Sequence, residues 1–253
     1  MAGAVFLDQT GLRERMTELL FNDDAYLKSC EAQVSGINER GGIVLDRTVF
    51  YATSGGQPGD NGKLVLADGR EVIIATTVKG DAPGEIVHVP APEQELPQPG
   101  ESITAVIDWE RRLKLMKMHT ACHLVTVACP YPITGASVGE ETSRVDFDIP
   151  QPPTKEELTA VLNEMIAAGH PVTTKWISEA ELDANPGLVK SKNVRPPRGT
   201  GRVRLVLIGE DGALDSQPCG GTHVASTSEI GKLVVTKIEN KGRENRRIRF
   251  AFS

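Results

Sequence analysis

The chain contains 253 residues, of which 39% are hydrophobic and 25% are charged, so wholesale disorder is excluded and one large or two modest domains are expected. The net charge of −6 argues against indiscriminate nucleic-acid binding, but it is unevenly distributed, with 8 Lys and Arg against 18 Asp and Glu in residues 1–110 and 20 against 16 in residues 111–253. No apolar run reaches the ~18 residues of a membrane span, and Asp8 interrupts any signal-peptide core. We therefore expect a cytoplasmic protein with no membrane partner.

Residues 1–108 are expected to form an all-β domain. Short apolar segments alternate with Gly and Asp turns, which indicates an antiparallel barrel or sandwich. Between two of these segments lies the glycine-rich stretch VFYATSGGQPGDNGKL (49–64). It lacks the Lys-Ser/Thr pair of a P-loop, and the simplest interpretation is a tight turn. The stretch is better interpreted as a backbone surface at which the N–H groups of Gly55 and Gly56 and the side chain of Gln57 face a partner domain or a phosphate.

Residues 109–253 show helices interspersed with antiparallel strands, which indicates an α+β second domain. The stretch WERRLKLMKMHTACHLVTVAC (109–129) predicts one long buried helix that Pro130 ends. Thr154–Ala168 predicts a second helix, which a capping box between Thr154 and Glu157 begins. Strands are predicted at 143–149, 172–177, 202–208, 232–239 and 246–252, with an irregular basic loop at 185–201.

Two short motifs predict a metal site. In HTACH, His119 and His123 lie one helical turn apart on the same face, so both imidazoles can reach one ion. In CGGTH, Cys219 and His223 have the same spacing, and the two glycines between them let the backbone curl. Either motif alone is more often part of a core than a metal site. Together they predict one Zn²⁺ ion held by three nitrogens and one sulfur.

Other residues of the long helix limit the chemistry. Thr120 follows His119 where a zinc protease of the HExxH type has its general-base glutamate, so that class is excluded. Cys122 points about 100° away from His123 around the helix axis and is interpreted as a pocket-wall or core residue. Four protein ligands usually mark a structural zinc site. A catalytic role therefore requires either a weakly bound His223 or an ion that positions the substrate instead of activating water.

Three basic windows lie in the second half of the chain, at residues 111–117, 190–204 and 237–249. Basic loops are usually only solvated, but three of them around one candidate metal site are consistent with a rim that contacts phosphates. Aromatic residues make up 4% of the chain, so base stacking along a single strand is not expected to dominate binding. The candidate phosphate contacts in these windows are Lys190, Lys192, Arg195, Arg198, Arg243 and Arg246.

The segments HTACH, SRVDF and RVRLVLIG…CGGTH…IGKLVVTKIENKGRENRRIRF together resemble the editing domain of alanyl-tRNA synthetase. SGGQPGD resembles the glycine motif of the β-barrel before that domain. The match spans nearly the whole chain, and therefore points to the free-standing alanyl-tRNA editing proteins of the AlaX type. The resemblance implies a small β-barrel at 1–108, followed at 109–253 by an α/β two-layer sandwich with an antiparallel sheet and a buried zinc-bearing helix. It implies the zinc ligands His119, His123, Cys219 and His223.

The resemblance also implies hydrolysis, without ATP, of the ester in Ser-tRNA(Ala) and in Gly-tRNA(Ala), which serves translation fidelity. Thr120, Ser137 and Cys219 are then the candidate catalytic residues, and the glycine motif and basic windows become candidate contacts to the tRNA acceptor end. Arg144 in SRVDF is expected either to reach an acceptor-stem phosphate or to form a salt bridge. Cys122 and Thr134 depart from the Thr and Gln that synthetase editing domains often have, which leaves the amino-acid preference open.

Three alternative functions stay open from the sequence. The first is a zinc-stapled RNA-binding module without catalysis. The second is a zinc hydrolase of a small ester or amide, and the third is editing of another mischarged tRNA such as Ser-tRNA(Thr). The sequence does not predict an oligomeric state.

Overall fold

The computed structural model describes residues 16–193, 195–196 and 198–253. These divide into two compact units, one with the described residues up to Thr53 together with Gly59–Trp109, and one with Ser54–Pro58 together with Glu110–Ser253. The short segment Ser54–Pro58, in the middle of the glycine motif, thus groups with the second unit although the chain on both sides of it belongs to the first. Within the described residues, no helix has the length and apolar character needed to cross a bilayer.

The described part of the first unit is built from strands. They are β1 (Glu18–Leu19), β2 (Ser29–Ile37), β3 (Ile43–Leu45), β4 (Arg47–Thr48), β5 (Gly62–Leu66), β6 (Glu71–Lys79), β7 (Ile86–Pro90) and β8 (Ser102–Ile107). Six of them close into a barrel with the order β2-β3-β7-β6-β5-β8, and all the pairings around it are antiparallel. Alternate residues of β8, namely Ile103, Ala105 and Ile107, are buried in its core. The expected barrel is confirmed.

A histidine lies in the core of this barrel. His88 in β7 is fully buried, with Nε2 2.8 Å from the Thr48 hydroxyl and Nδ1 3.0 Å from the Ile43 carbonyl oxygen. Burial lowers the pKa of His88 to about 4, so the ring is neutral. Both ring nitrogens are therefore satisfied when Nδ1–H donates to Ile43 and Nε2 accepts from Thr48.

The second unit combines helices with two antiparallel sheets. Its elements are α1 (Trp109–Ala128), β9 (Ile133–Ser137), β10 (Thr142–Asp148), α2 (Lys155–Ala167), β11 (Val172–Ser178), α3 (Glu179–Ala184), β12 (Arg202–Ile208), β13 (Asp215–Pro218), β14 (Leu233–Asn240) and β15 (Asn245–Phe252). One sheet has the order β14-β15-β10-β9 and the other β11-β12-β13. The predicted α+β class is confirmed, and each helix and strand predicted for residues 109–253 is present within one or two residues of its expected ends.

Helix α2 begins at the predicted capping box. The Thr154 side chain accepts a hydrogen bond from the Glu157 backbone N–H, and the Glu157 carboxylate accepts one from the Thr154 backbone N–H. The side chain of Asn163 bonds both backbone groups of Leu233, at 2.8 and 3.0 Å. This bridge attaches α2 to β14, one of the two edge strands of the larger sheet.

Candidate metal centre

The two predicted motifs meet in the second unit. His119 and His123 project from α1, a helix whose side chains are buried from Met118 to Thr126. Cys219 and His223 follow directly after β13. The ligand atoms of these four residues all lie within 4.8 Å of one another. The Cys219 sulfur is 3.5 Å from His119 Nε2 and 3.4 Å from His223 Nε2, so the cluster could hold a metal ion.

Each histidine of the cluster is oriented by a different partner on its Nδ1 atom. His119 Nδ1 is 2.7 Å from the Gln57 side-chain oxygen. His123 Nδ1 is 3.0 Å from an Asp215 carboxylate oxygen, and His223 Nδ1 is 3.1 Å from the Thr120 hydroxyl. With Nδ1 engaged in this way, the Nε2 atom of each ring is available as a ligand.

Asp215 forms the centre of a buried polar network. Its side chain has no solvent exposure, and it accepts hydrogen bonds from Lys190 Nζ and, at 2.7 Å, from Gln217 Nε2 in addition to His123. Burial by itself would raise the pKa of Asp215, but the hydrogen bonds from His123 and Lys190 lower it to about 2. Asp215 is therefore an ionised carboxylate that holds the His123 ring in place.

The electrostatics of the cluster favour a thiolate at Cys219. Burial alone would raise the pKa of this thiol, but the neighbouring His119 and His223 bring it well below its ordinary value. The thiolate is the form of cysteine that binds metals. Cys122, by contrast, is buried outside the four-residue cluster, and burial raises the pKa of its thiol to about 12.

The loop that carries Cys219 is held close to α1. A side chain at Gly221 would place its Cβ 2.1 Å from His119 Cε1, so only glycine fits there, whereas Gly220 has no heavy atom within 4 Å of the corresponding position. The buried Arg204 donates to the carbonyl oxygens of Cys219, at 3.1 Å, and Gly221, at 2.9 Å. The sequence assigned Arg204 to a basic window, but the structure gives it this supporting role.

The remaining predicted catalytic residues occupy different positions. The Thr120 hydroxyl is fully buried, donates to the Met116 carbonyl oxygen at 3.0 Å and lies beside His223. Ser137 ends β9, where its Cα would lie 3.6 Å from a Cβ added to Gly56. The catalytic roles of Thr120 and Ser137 stay predictions.

Two of the predicted tRNA contacts, Gln57 and Lys190, bond to other residues of the second unit. Gln57 is fully buried and its amide bonds His119 and Thr222, so it offers no exposed atom to a phosphate. Lys190 points at Asp215, as described above. Both residues thus have partners within the second unit, and their tRNA contacts stay predictions. No heavy atom lies within 4 Å of the position that a Cβ would take at Gly55. The tRNA contact of Gly55 stays a prediction.

Several of the other basic candidates are already paired with acids or carbonyl groups. Arg144 takes the salt-bridge alternative and lies 2.5 Å from Asp146. Lys192 is 2.6 Å from Asp148 and Arg198 is 2.5 Å from Asp183, while Arg246 donates to the Pro150 carbonyl oxygen at 3.0 Å. Arg195 and Arg243 form no ion pair with any described residue.

Two family models match the chain. The model of the threonyl and alanyl tRNA synthetase second additional domain matches residues 203–249, a range that includes Cys219 and His223. The model of class II (A) tRNA synthetases matches residues 16–111. Residues 203–249 of the second unit are thus similar to the second additional domain of the threonyl and alanyl tRNA synthetases.

The relatives define the family more narrowly. The alanyl-tRNA editing protein AlaX-M of Methanosarcina mazei is 36% identical over 247 residues, which cover 93% of this chain and 96% of that protein. AlaX-M of Saccharolobus solfataricus is 34% identical over 92% of this chain and 98% of its own length. The alanine–tRNA ligase of Pyrobaculum aerophilum is 36% identical over 88% of this chain but only 25% of the ligase. The chain belongs to the AlaX-M family of alanyl-tRNA editing proteins.

Proposed function

We propose that this protein is a trans-acting deacylase that hydrolyses the ester bond of mischarged tRNA(Ala), with Ser-tRNA(Ala) as its main substrate and Gly-tRNA(Ala) as a second one. The observation that carries the proposal is the convergence of His119, His123, Cys219 and His223 on one centre in a chain of the alanyl-tRNA editing family. The reaction needs no ATP, because the hydrolysis of an aminoacyl ester is thermodynamically favourable. The proposal includes a cytoplasmic location, where aminoacyl-tRNA is used.

The ion that the cluster fits best is Zn²⁺. Imidazole nitrogen and thiolate sulfur are both ordinary zinc ligands, and four of them complete a tetrahedral set. For tetrahedral zinc with ordinary bond lengths, the sulfur and a ligand nitrogen are about 3.6 Å apart. The two separations in the cluster, 3.5 and 3.4 Å, agree with that value. When bound, zinc would supply a Lewis acid that can polarise the ester carbonyl or hold the amine or hydroxyl of the substrate.

The protein groups would supply selectivity and positioning. A site with buried hydroxyls binds a serine side chain and leaves polar groups unpaired beside the methyl group of alanine, so it rejects the correct product. Glycine has no methyl group, so a water can pair with the same hydroxyls and glycine is accepted less well than serine but better than alanine. In the proposal Ser137 contacts the substrate, and Thr120 acts through His223, because its own proton is already donated to Met116. An activated ester needs little beyond a positioned water, so modest catalytic groups suffice.

The proposed partner is the acceptor end of mischarged tRNA(Ala). Arg195 and Arg243 are exposed and can contact phosphates directly. Lys192 and Arg198 sit in exposed pairs, with side chains 59% and 48% accessible, and such pairs exchange readily for a polyanion. Affinity for tRNA should therefore fall steeply as salt increases.

A deacylation assay tests the proposal. Ser-, Gly- and Ala-tRNA(Ala) are compared side by side, with and without a chelator, for the intact protein, Cys219→Ala and the control Cys30→Ala, which removes a half-buried thiol from β2 of the barrel. We expect release of serine, slower release of glycine, and retention of alanine. Chelator and Cys219→Ala should abolish the activity, and Cys30→Ala should keep it.

Other results would favour the alternatives. Binding of tRNA without hydrolysis of any of these esters would indicate a metal-stapled RNA-binding module. Hydrolysis of a simple seryl ester as fast as of Ser-tRNA(Ala) would indicate a small-substrate hydrolase. Preference for Ser-tRNA(Thr) over Ser-tRNA(Ala) would indicate editing for another synthetase.

A further inference from the structure

The side-chain amide of Gln57 has a fixed orientation. Its Nε2 atom donates to the Thr222 hydroxyl at 2.8 Å, and its Oε1 atom accepts from the Thr222 backbone N–H at 3.2 Å. Because a backbone N–H can only donate, the amide oxygen must face it. The same oxygen lies 2.7 Å from His119 Nδ1. His119 Nδ1–H therefore donates to this oxygen, and Nε2 is the ring nitrogen that lies beside the Cys219 sulfur, where an ion could bind.

The backbone of the glycine motif places this amide. The Gly56 carbonyl oxygen accepts a hydrogen bond from the Val138 N–H at 2.8 Å, directly after β9. Gly56 has a φ of +85°, and a Cβ there would lie 2.8 Å from the Ala136 carbonyl oxygen. Ser54 and Gln57 bond each other through both backbone groups, at 2.9 and 3.1 Å. The segment Ser54–Pro58 is thus attached to β9, and this close approach requires glycine.

We propose that Gln57 is a positioning residue of the metal centre, which sets the tautomer and the ring angle of His119 so that Nε2 faces the ion. The glycine motif is then a support for a metal ligand. This inference rests on the metal centre of the proposed function and is independent of which aminoacyl-tRNA is hydrolysed.

Each of the three cluster histidines has a different hydrogen-bond partner at Nδ1, and Gln57 is the uncharged amide among these partners. His123 is oriented by the carboxylate of Asp215 and His223 by the hydroxyl of Thr120. A partner that accepts from Nδ1–H raises the basicity of the ligating nitrogen, and loss of such a partner typically weakens metal binding roughly 10- to 100-fold. Replacement of Gln57 should therefore act on the metal and leave distant parts of the chain unaffected.

Cobalt titration of the full chain tests this proposal without any substrate. The protein is stripped of metal, titrated with Co²⁺, and followed by the visible absorption of the bound ion. Gln57→Met keeps the length of the side chain but removes the acceptor, whereas Gln57→Glu keeps an acceptor at His119. The matched control is Gln94→Met, since Gln94 also bonds one residue through both amide atoms, with Ile73 at 2.7 and 2.9 Å in the first unit.

We expect Gln57→Met to bind Co²⁺ roughly 10- to 100-fold more weakly, with a shifted absorption band. Gln57→Glu should recover at least part of the affinity, and Gln94→Met should match the original protein. Unchanged affinity and spectrum in Gln57→Met would overturn the proposal. So would equal losses in Gln57→Met and Gln57→Glu, because packing alone would then explain the effect.

Folding is checked by circular dichroism before each titration. If Gln57→Met does not fold, Thr222→Val takes its place, because it removes the hydroxyl that fixes the amide and leaves Gln57 present. A folded Thr222→Val with the original Co²⁺ affinity and spectrum would overturn the proposal. Failure of the proposed function looks different: the intact protein would release no amino acid from tRNA, while Gln57→Met would still lose Co²⁺ affinity.

Discussion

The two units of this protein bury histidine in opposite ways. In the barrel, His88 uses both ring nitrogens on protein groups, with Thr48 on one side and Ile43 on the other. In the second unit, His119, His123 and His223 lie with ring centroids 4.3 to 5.6 Å apart. Each of these three rings uses Nδ1 on a protein partner and turns Nε2 towards the others and Cys219.

Burial alone therefore does not identify a functional histidine. A lone imidazole in an apolar core is stable as the neutral ring if both nitrogens are paired. Three imidazoles beside a thiolate leave four lone pairs directed at one point, and a cation is the natural partner for that arrangement. The two kinds of buried histidine differ in the surroundings of Nε2, which is a protein hydroxyl for His88 and the other ligand atoms of the cluster for the remaining three rings.

The largest expected effect separates the two regions by metal content. His123→Ala should reduce bound metal from one ion per chain to near zero, because it removes a ligand, whereas His88→Gln should leave the metal content unchanged. Elemental analysis of both purified variants checks this. Loss of metal in His88→Gln, or full metal occupancy in His123→Ala, would contradict this distinction between the two kinds of buried histidine.

A second effect concerns the loop at Cys219. Gly221→Ala should abolish metal binding or folding, because its Cβ would overlap the His119 ring at 2.1 Å. Gly220→Ala is the matched control, since its Cβ meets no heavy atom within 4 Å and should retain the ion. Metal analysis together with circular dichroism measures both variants. Similar behaviour of the two alanine variants would contradict this account of the loop.

The smallest expected effect is a pH dependence of stability that comes from His88. The unfolded chain takes up a proton near the ordinary pKa of 6.5, but the native ring does so only near a pKa of about 4. Between these values the unfolded state binds more protons, so the free energy of unfolding falls as pH drops from about 6.5 to 4, by up to about 3 kcal/mol.

Urea unfolding followed by the fluorescence of the two tryptophans, Trp109 and Trp176, measures this dependence. His88→Gln has no such titration, so the difference in unfolding free energy between the original protein and the variant should shrink as pH falls through that window. A constant difference from pH 7 to 4.5 would show that His88 does not carry the effect.

Much of the fold could be predicted because its signals are local. The period of α1, the capping box at Thr154 and the turns of the barrel each depend on residues a few positions apart. Strands β9 and β13 were missed, since ITGAS and DSQP are short and lack the alternation of a half-buried strand. The acidic partners of Arg144 and Lys190 could not be predicted, because composition does not reveal which carboxylates lie beside a basic side chain.

The sequence by itself determined the four side chains of the metal cluster, because HTACH and CGGTH each place two ligands at a spacing that the local backbone can bring to one point. Only the tertiary structure decided how those ligands are oriented. Gln57 lies 62 residues from His119, and Asp215 lies 92 residues from His123. A hydrogen bond between such distant residues depends on how strands and loops pack, and it leaves no periodic or spacing signal along the chain.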